Sequence, residues 1–529
     1  MRIRLSPTAI SAAALLLTFS LAPRSAPAAD KSKAEHVVVV VWDGMRPDFI
    51  TPQYTPTLYK LAKDGVFFKN HHPVYVSSTE VNGTAIATGC YPNRTGIIAN
   101  SEYDPELGWV SPHGTESLDA MRRGDLLTGG KYIMVPTLAE ILQKAGIPTI
   151  IAGTKPVALM HDRAPTNKRT SLASSNSPVL FKGQSIPRSL LQAVVKANED
   201  KSFSTNTTHP NTFADGWTTK GLTHVLWRKE VPKYTLLWLS DPDASQHETG
   251  PGSDTSINAL ASVDKNLEDV LKALDEKRVR DKTDVMVVSD HGFSTIKRGP
   301  DVAEVLKKAK FKAHKKLEDA ERGDIMVVGL GGSVLLYVID HDEAVIQHVV
   351  EFLQGTDFAG VIFSQLQVPG TFPLEQVKLG PANACPDIVL SMRWLADKNE
   401  WGTPGLIISD GGTKGKGTHA SLSRYDMHNT LVAAGPSFKK GFIDEMPTGN
   451  ADVAPTILHI LGISASTKMD GRVLHEALAH SDIEPAPPET KTIEASVDLG
   501  LYVWKQYLKS TTVGEQIYFD EGNGESTLK

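Results

Sequence analysis

Cysteine is almost absent: Cys90 and Cys385 are the only two in 529 residues. One disulfide is the most such a chain can form, so a cross-linked framework is excluded, and whether the two cysteines meet is not legible in the sequence. There is no Lys/Arg block, and the net charge of −6 is spread over the whole chain. A polymeric nucleic acid is therefore not an expected partner. Beyond the N-terminus no apolar run reaches the ~18 residues that a bilayer span needs, so no membrane span is expected in the mature chain. Hydrophobic residues at 40% and charged residues at 22% are ordinary globular values, which excludes disorder and a fibrous class. The length suits one large α/β domain with insertions, or two smaller domains.

The first residues differ from the rest. Arg2 and Arg4 give a basic start, residues 9–22 are apolar, and Ala26-Pro27-Ala28 offers a small-x-small cleavage site. This pattern reads as a signal peptide over 1–28, and with it an exported protein, periplasmic or secreted.

Residues 36–42 form a continuous apolar run that stops at Asp43-Gly44, as expected of a strand buried on both faces of a parallel sheet. Similar runs occur at 149–152, 234–240, 284–289 and 430–434. Between the last runs, Ile257, Leu260, Val263, Leu267, Val270 and Leu274 recur at helical spacing. Strands alternating with helices predict an α/β domain with a parallel sheet over 29–475. Two stretches fit this rhythm poorly: 156–225, rich in Ser, Thr, Asn and Pro, and 296–410, with short strand patterns at 333–339 and 387–392. Both read as insertions forming a cap. Residues 476–529 begin rich in Pro and Glu and read as a C-terminal extension, not a further domain. No internal repeat is visible.

In parallel α/β sheets ligands bind beyond the carboxyl ends of the strands. Here those positions carry metal-ligand side chains: Asp43, then Asp243 and His247, then Asp290 and His291, with His419 in a Gly-rich loop before 430–434. Taken singly, Asp43-Gly44 reads as a turn and Asp243 as a helix cap. Independent turns would not put six such side chains on one rim. Three Asp and three His suffice for two zinc-type sites. The segment 77–89 enters a small-residue helix with Thr79 at its start. Locally that hydroxyl is a cap, but a metal ion would make it a nucleophile.

These residues resemble the alkaline phosphatase superfamily, and more closely its nucleotide pyrophosphatase/phosphodiesterase branch. The matching segments are Val41-Trp42-Asp43-Gly44-Met45-Arg46-Pro47-Asp48, Thr79 with Thr88-Gly89-Cys90-Tyr91-Pro92, the stretch 96–105 around Asn100, Pro242-Asp243-Ala244-Ser245-Gln246-His247, Ser289-Asp290-His291-Gly292 and Gly417-Thr418-His419. Asp452 to Leu458 and Met469-Asp470-Gly471-Arg472 are similar to the superfamily's common end. The likeness spans about 36–475. It implies a three-layer sandwich with a mainly parallel central sheet, helices on both faces and inserted cap regions. It also implies two Zn2+ per subunit, or other divalent metals: one held by Asp243, His247 and His419, the other by Asp43, Asp290, His291 and the Thr79 hydroxyl. Thr79 would then form a covalent phospho-threonine intermediate, and Asn100 would donate to a phosphate oxygen.

Three departures matter. Ala420 stands where the family has a glycine after its last metal-binding histidine. Val81-Asn82-Gly83 replaces the Pro-Asn-His often found after the nucleophile. Lys155 matches the first residue of the Lys-x-Arg pair of the superfamily's monoesterases, but Val157 stands at the Arg position. A diester brings one negative charge and a monoester about two, so a missing cation favours the diester. Cys90-Tyr91-Pro92-Asn93-Arg94 spells the sulfatase pattern, yet it lies eleven residues after Thr79, on the wrong side of the small-residue helix. The expectation is therefore an exported two-zinc phosphodiesterase or nucleotide pyrophosphatase acting on a small phosphate ester, nucleotides included. Alkaline phosphomonoesterase is the alternative, ahead of a sulfatase or a metal-binding protein without catalysis. Oligomeric state is not legible.

Overall fold

The computed structural model describes residues 34–529 apart from 109, 163–175, 381–384 and 466; the expected signal peptide lies outside the described residues. A nine-stranded sheet forms the centre. Its order across the sheet is Phe442–Gly449, Val66–His72, Leu431–Ala434, Thr283–Val288, His36–Trp42, Tyr234–Leu239, Thr149–Gly153, Val179–Phe181 and Gln184–Ile186. All run parallel except Leu431–Ala434 and Gln184–Ile186. From Val37 to Trp42 the strand is apolar and buried on both faces. Val37, Val39 and Val41 join one core with Ile86, Leu138 and Ile457, and Val38, Val40 and Trp42 join another with Leu58, Leu260, Val263 and Leu267. The alternation of side chains along a strand thus feeds two helix layers, giving the three-layer sandwich.

Within 156–225, Val179–Phe181 and Gln184–Ile186 add two strands to one edge of this sheet. The stretch 296–410 supplies a second, five-stranded sheet that includes Ile325–Gly329, Ser333–Val338, Ala359–Ser364 and Ile388–Met392. One face of it packs on the helices Val302–Lys308 and Glu343–Gln354. The other meets Tyr75, Val76, Ile98, Ala99 and Tyr103, which flank Thr79 and Asn100 in the chain. The Tyr75 hydroxyl and Ser333 Oγ are 2.8 Å apart across this junction.

Residues Pro488–Asp498, Tyr502–Val513 and Gln516–Leu528 form a three-stranded antiparallel sheet. Trp504 and Phe519 are buried in its docking onto the second sheet. Tyr518 donates to Asp452 at 2.9 Å, and the Tyr91 hydroxyl to the Ile517 carbonyl at 2.9 Å, tying the C-terminal strands to the central domain. No disulfide joins Cys90 and Cys385.

Candidate active site

Every sequence-predicted metal ligand reaches the same rim. Asp43 follows the His36–Trp42 strand, Asp243 opens the helix Asp243–Thr249 after Tyr234–Leu239, and Asp290 and His291 follow Thr283–Val288. His419 precedes an antiparallel strand, yet it belongs to this edge because Leu431 pairs with Val288 at the end of its neighbour. Gly44 turns the chain away at φ +71°, and a Cβ there would lie 3.0 Å from Phe293 and 3.1 Å from the Asp243 Cβ. Only glycine permits both.

The ligand atoms fall into two sets, Asp243 with His247 and His419, and Asp43 with Asp290 and His291, each within 4.8 Å of one another. The His291 and His419 rings stack at 3.7 Å between centroids and 11° between planes, which brings the sets side by side. In each histidine Nδ1 meets a main-chain carbonyl: His247 that of Gly417 at 3.1 Å, His291 that of Gly292 at 2.9 Å, and His419 that of Ser77 at 3.0 Å. Nε2 is thereby left to face the carboxylates, the usual arrangement behind a metal-binding imidazole. His291 Nε2 lies 3.3 Å from Asp290 Oδ2 and 3.5 Å from Asp43 Oδ1, and His247 Nε2 lies 3.2 Å from Asp243 Oδ1. Asp43 Oδ1, Asp243 Oδ1 and Asp290 Oδ2 are buried and accept no hydrogen bond. Buried oxygens normally have a partner, so three orphans converging on imidazole ring nitrogens fit divalent cations of the zinc type.

The charge pattern agrees. Burial holds His291 down to about 4 and His419 well below the usual histidine range, keeping both imidazoles neutral. Burial lifts Asp43 to about 7 against the pull of Lys155. Burial, then the Asp43 charge, raises Asp290 well above the carboxylate range. Asp243 goes the other way: against burial, Lys155 and His247 hold it well below.

Thr79 is the first residue of the helix Thr79–Thr88 and is buried, with Oγ1 3.3 Å from His291 Nε2. Its neighbours are fixed by Asn82, which accepts from the Val74 N–H and donates to the Val74, Val76 and Ser78 carbonyls. Asn100 Oδ1 accepts the Glu80 N–H at 3.1 Å, leaving the amide NH2 as its free donor. Lys155 Nζ lies 2.8 Å from Asp43 Oδ2 and 3.2 Å from Asp243 Oδ2, bridging the two sets. Val157 is wholly buried in the core with Ile86 and Trp238. Cys90 is buried at the opposite end of the Thr79–Thr88 helix, roughly 15 Å along its axis from Thr79.

Sequence reasoning missed four contributors. Trp238 donates from Nε1 to Asp43 Oδ2 at 2.9 Å. Asn450 donates to the Asp290 carbonyl at 2.7 Å and to Asn82 Oδ1 at 3.0 Å, joining the two halves of the site. Glu80 and Glu116 add to the negative field on Lys155. Trp238 was legible only as a core residue of its strand. The other contacts link residues far apart in the chain and leave no local pattern.

An α/β sandwich with two carboxylate–imidazole sets and a buried hydroxyl on one rim defines a class: hydrolases that work with divalent metals. Residues 37–416 match the family described as type I phosphodiesterase / nucleotide pyrophosphatase. The chain belongs to that family and is a phosphoric ester hydrolase. Among relatives, it is 24% identical over 476 residues to ectonucleotide pyrophosphatase/phosphodiesterase family member 5 of Homo sapiens, covering 86% of this chain and 78% of the relative. It is 23% identical over 444 residues to a bis(5'-adenosyl)-triphosphatase of Xenopus laevis, covering 82% and 79%. Its fold resembles murine ectonucleotide pyrophosphatase / phosphodiesterase 5, solved in an inactive threonine-to-alanine form with AMP, at a TM-score of 0.60 and 18% identity, covering 84% of this chain and all of the other. The human counterpart gives 0.59 and 19%, with the same coverage of this chain. Among the described residues no helix is long and apolar enough to cross a membrane.

Proposed function

We propose that the chain is an exported two-zinc enzyme that cleaves phosphodiester or pyrophosphate bonds in small nucleotides through a phospho-threonine intermediate. The observation that carries this reading is the buried Thr79 Oγ1 at 3.3 Å from His291 Nε2, beside two sets of carboxylate oxygens without hydrogen-bond partners. Asp243, His247 and His419 would hold one ion, and Asp43, Asp290, His291 and Thr79 the other. When bound, the ions lower the pKa of a hydroxyl and balance charge developing on the attacking and leaving oxygens.

Thr79 Oγ1 forms a bond to phosphorus as the bond to the leaving oxygen breaks; the threonine proton goes to solvent and the leaving oxygen takes one from it. Water then attacks phosphorus and the bond to Thr79 breaks, returning the hydroxyl. The Asn100 amide donates to a phosphoryl oxygen throughout, aligned by the Glu80 N–H on its carbonyl. Nucleotides are the proposed substrates because the relatives are named for nucleotide pyrophosphates and bis(5'-adenosyl) triphosphate, and one neighbour holds AMP. That neighbour's inactive form lacks a threonine, in keeping with the role given to Thr79.

Lys155 is the feature that favours a monoesterase, but its amine is engaged by Asp43 and Asp243. The deciding experiment compares kcat/KM for a bis-aryl and a mono-aryl phosphate on the zinc-loaded enzyme. Diester preference is expected, and a strong monoester preference overturns the reading. Thr79→Ala should lower turnover at least a thousandfold, with metal content unchanged by more than the loss of one weak ligand. N-terminal sequencing of the exported protein should begin near residue 29.

A further inference from the structure

The site is open on one side. The side chains of Asp43, Asp290 and His291 are wholly buried and those of Asp243 and His419 are 7% exposed, whereas that of His247 is 44% exposed. Solvent therefore reaches the six candidate ligands chiefly past His247. The leaving group departs on the same side. In an in-line displacement the attacking and leaving oxygens lie on opposite sides of phosphorus, each at one metal position. With Thr79 beside Asp43, Asp290 and His291, the leaving oxygen falls to the set of Asp243, His247 and His419.

A cation is tied to this exit. Lys416 precedes Gly417, whose carbonyl meets His247 Nδ1 at 3.1 Å, and its Nζ donates at 2.9 Å to Oε2 of Glu248, the residue after His247. Two links of one residue each thus bind the ammonium to the open imidazole. The main chain that carries it is held as well: the Ile296 N–H donates to the Lys416 carbonyl at 2.8 Å, and the Gly415 N–H to the Ile296 carbonyl at 2.9 Å. Lys416 and Glu248 have partly exposed side chains, and such a surface ion pair is weak, so a phosphate can take the place of Glu248 at little cost. Lys155 does not serve this side, being engaged by Asp43 and Asp243.

An aryl or alkyl leaving group develops its charge on one oxygen, at the metal position. A phosphate or pyrophosphate leaving group carries further anionic oxygens beyond that atom, on the open side. An ammonium donating to phosphate makes a charge-assisted hydrogen bond, and the charge on the departing group rises by one as its bond to phosphorus breaks. The contact therefore strengthens toward the transition state.

We infer that Lys416 is a specificity-determining residue that grips the departing phosphate of pyrophosphate-linked nucleotides and favours them over simple diesters, with Glu248 holding its ammonium in place beforehand. This rests on the reading above and names the leaving group that the site serves. Thr79 Oγ1 bonds to the phosphorus next to the nucleoside, the bridging P–O bond breaks, and its electron pair leaves on the bridging oxygen of the departing phosphate or pyrophosphate.

The experiment measures kcat/KM for ATP and for the aryl ester of AMP in the zinc-loaded full chain and in K416M, K416R and E248Q. The two substrates share the AMP half, so their ratio cancels effects on Thr79 and on the metal ligands. In K416M the ATP-to-ester ratio is expected to fall about tenfold. K416R should retain most of it, and E248Q, which frees the ammonium, should raise it two- to threefold. In the Thr79→Ala background, where no turnover intervenes, calorimetric binding of inorganic pyrophosphate should weaken about tenfold in K416M, and that of inorganic phosphate by less. A ratio within twofold of the unsubstituted enzyme in K416M, an equal loss of both activities, or an unmoved pyrophosphate affinity overturns the inference. So does a fall in E248Q in step with K416M, which would report a pair that only supports the fold. Cleavage of the aryl ester without cleavage of ATP by the unsubstituted enzyme overturns it too. A strong preference for a mono-aryl phosphate would instead defeat the diesterase reading beneath it, a separate result from an unmoved ratio.

Discussion

The two halves of the site are built differently. The half with the candidate metal ligands stands on strand ends: Asp43, Asp243, Asp290 and His291 are buried, each imidazole is clamped by a main-chain carbonyl, and three carboxylate oxygens lack a partner. The other half, with Thr79, Asn100 and Lys155, comes from a helix start and from connecting segments. It takes its shape from packing against the second sheet through Tyr75, Val76, Ile98 and Ala99. In α/β enzymes, groups at strand ends tend to be held more rigidly than those on connecting segments, which vary more.

That contrast can be broken by substitution. The largest effect is expected for Asp290→Asn, which leaves shape intact but removes a ligand charge: turnover should fall on the order of 10³-fold, with one equivalent of metal lost by elemental analysis. An unchanged metal count would show that the rim does not hold the ions as assigned. Asn100→Ala removes one donor from the half that carries Thr79 and should lower kcat about 100-fold while the metal count stays the same. If metal is lost as well, the two halves are not separable. Trp238→Phe deletes only the 2.9 Å donation to Asp43 Oδ2. Metal affinity should weaken about tenfold in a chelator competition, with the ester ratio unmoved.

The smallest effect concerns the junction. Ala420 follows His419 with φ +79°, a left-handed conformation that favours glycine, and its N–H donates to the Ser77 carbonyl at 2.9 Å. Ala420→Gly relieves about 1–2 kcal/mol of backbone strain against about 0.4–1 kcal/mol of added unfolded-state entropy. Thermal melting should rise by a degree or two, and a clear fall would mean that the methyl group's packing outweighs the strain.

Much of the central domain was legible because its strands are covered on both faces. His36–Trp42 and Tyr234–Leu239 have no polar side to blur them, and the Asp254–Glu276 helix shows its buried stripe openly. The edge strands Val179–Phe181 and Gln184–Ile186 escaped notice, being three residues each. The C-terminal meander escaped as well. Its first strand is exposed along most of its length and carries Pro488 and Glu489, so it lacks the apolar run that marks a strand. The antiparallel course of Leu431–Ala434 was also invisible, since an apolar run carries no direction.

By itself the sequence determined the strand ends, and with them the residue types able to bind metal, because an apolar run that stops at Asp or His dictates where a buried strand meets the rim. Tertiary structure decided what those groups do to one another. It engaged Lys155 with Asp43 and Asp243, turned Val157 into the core, and set Glu80 beside Glu116 although 36 positions separate them. Electrostatic and hydrogen-bond partners are chosen by distance in space, and distance along the chain does not encode it.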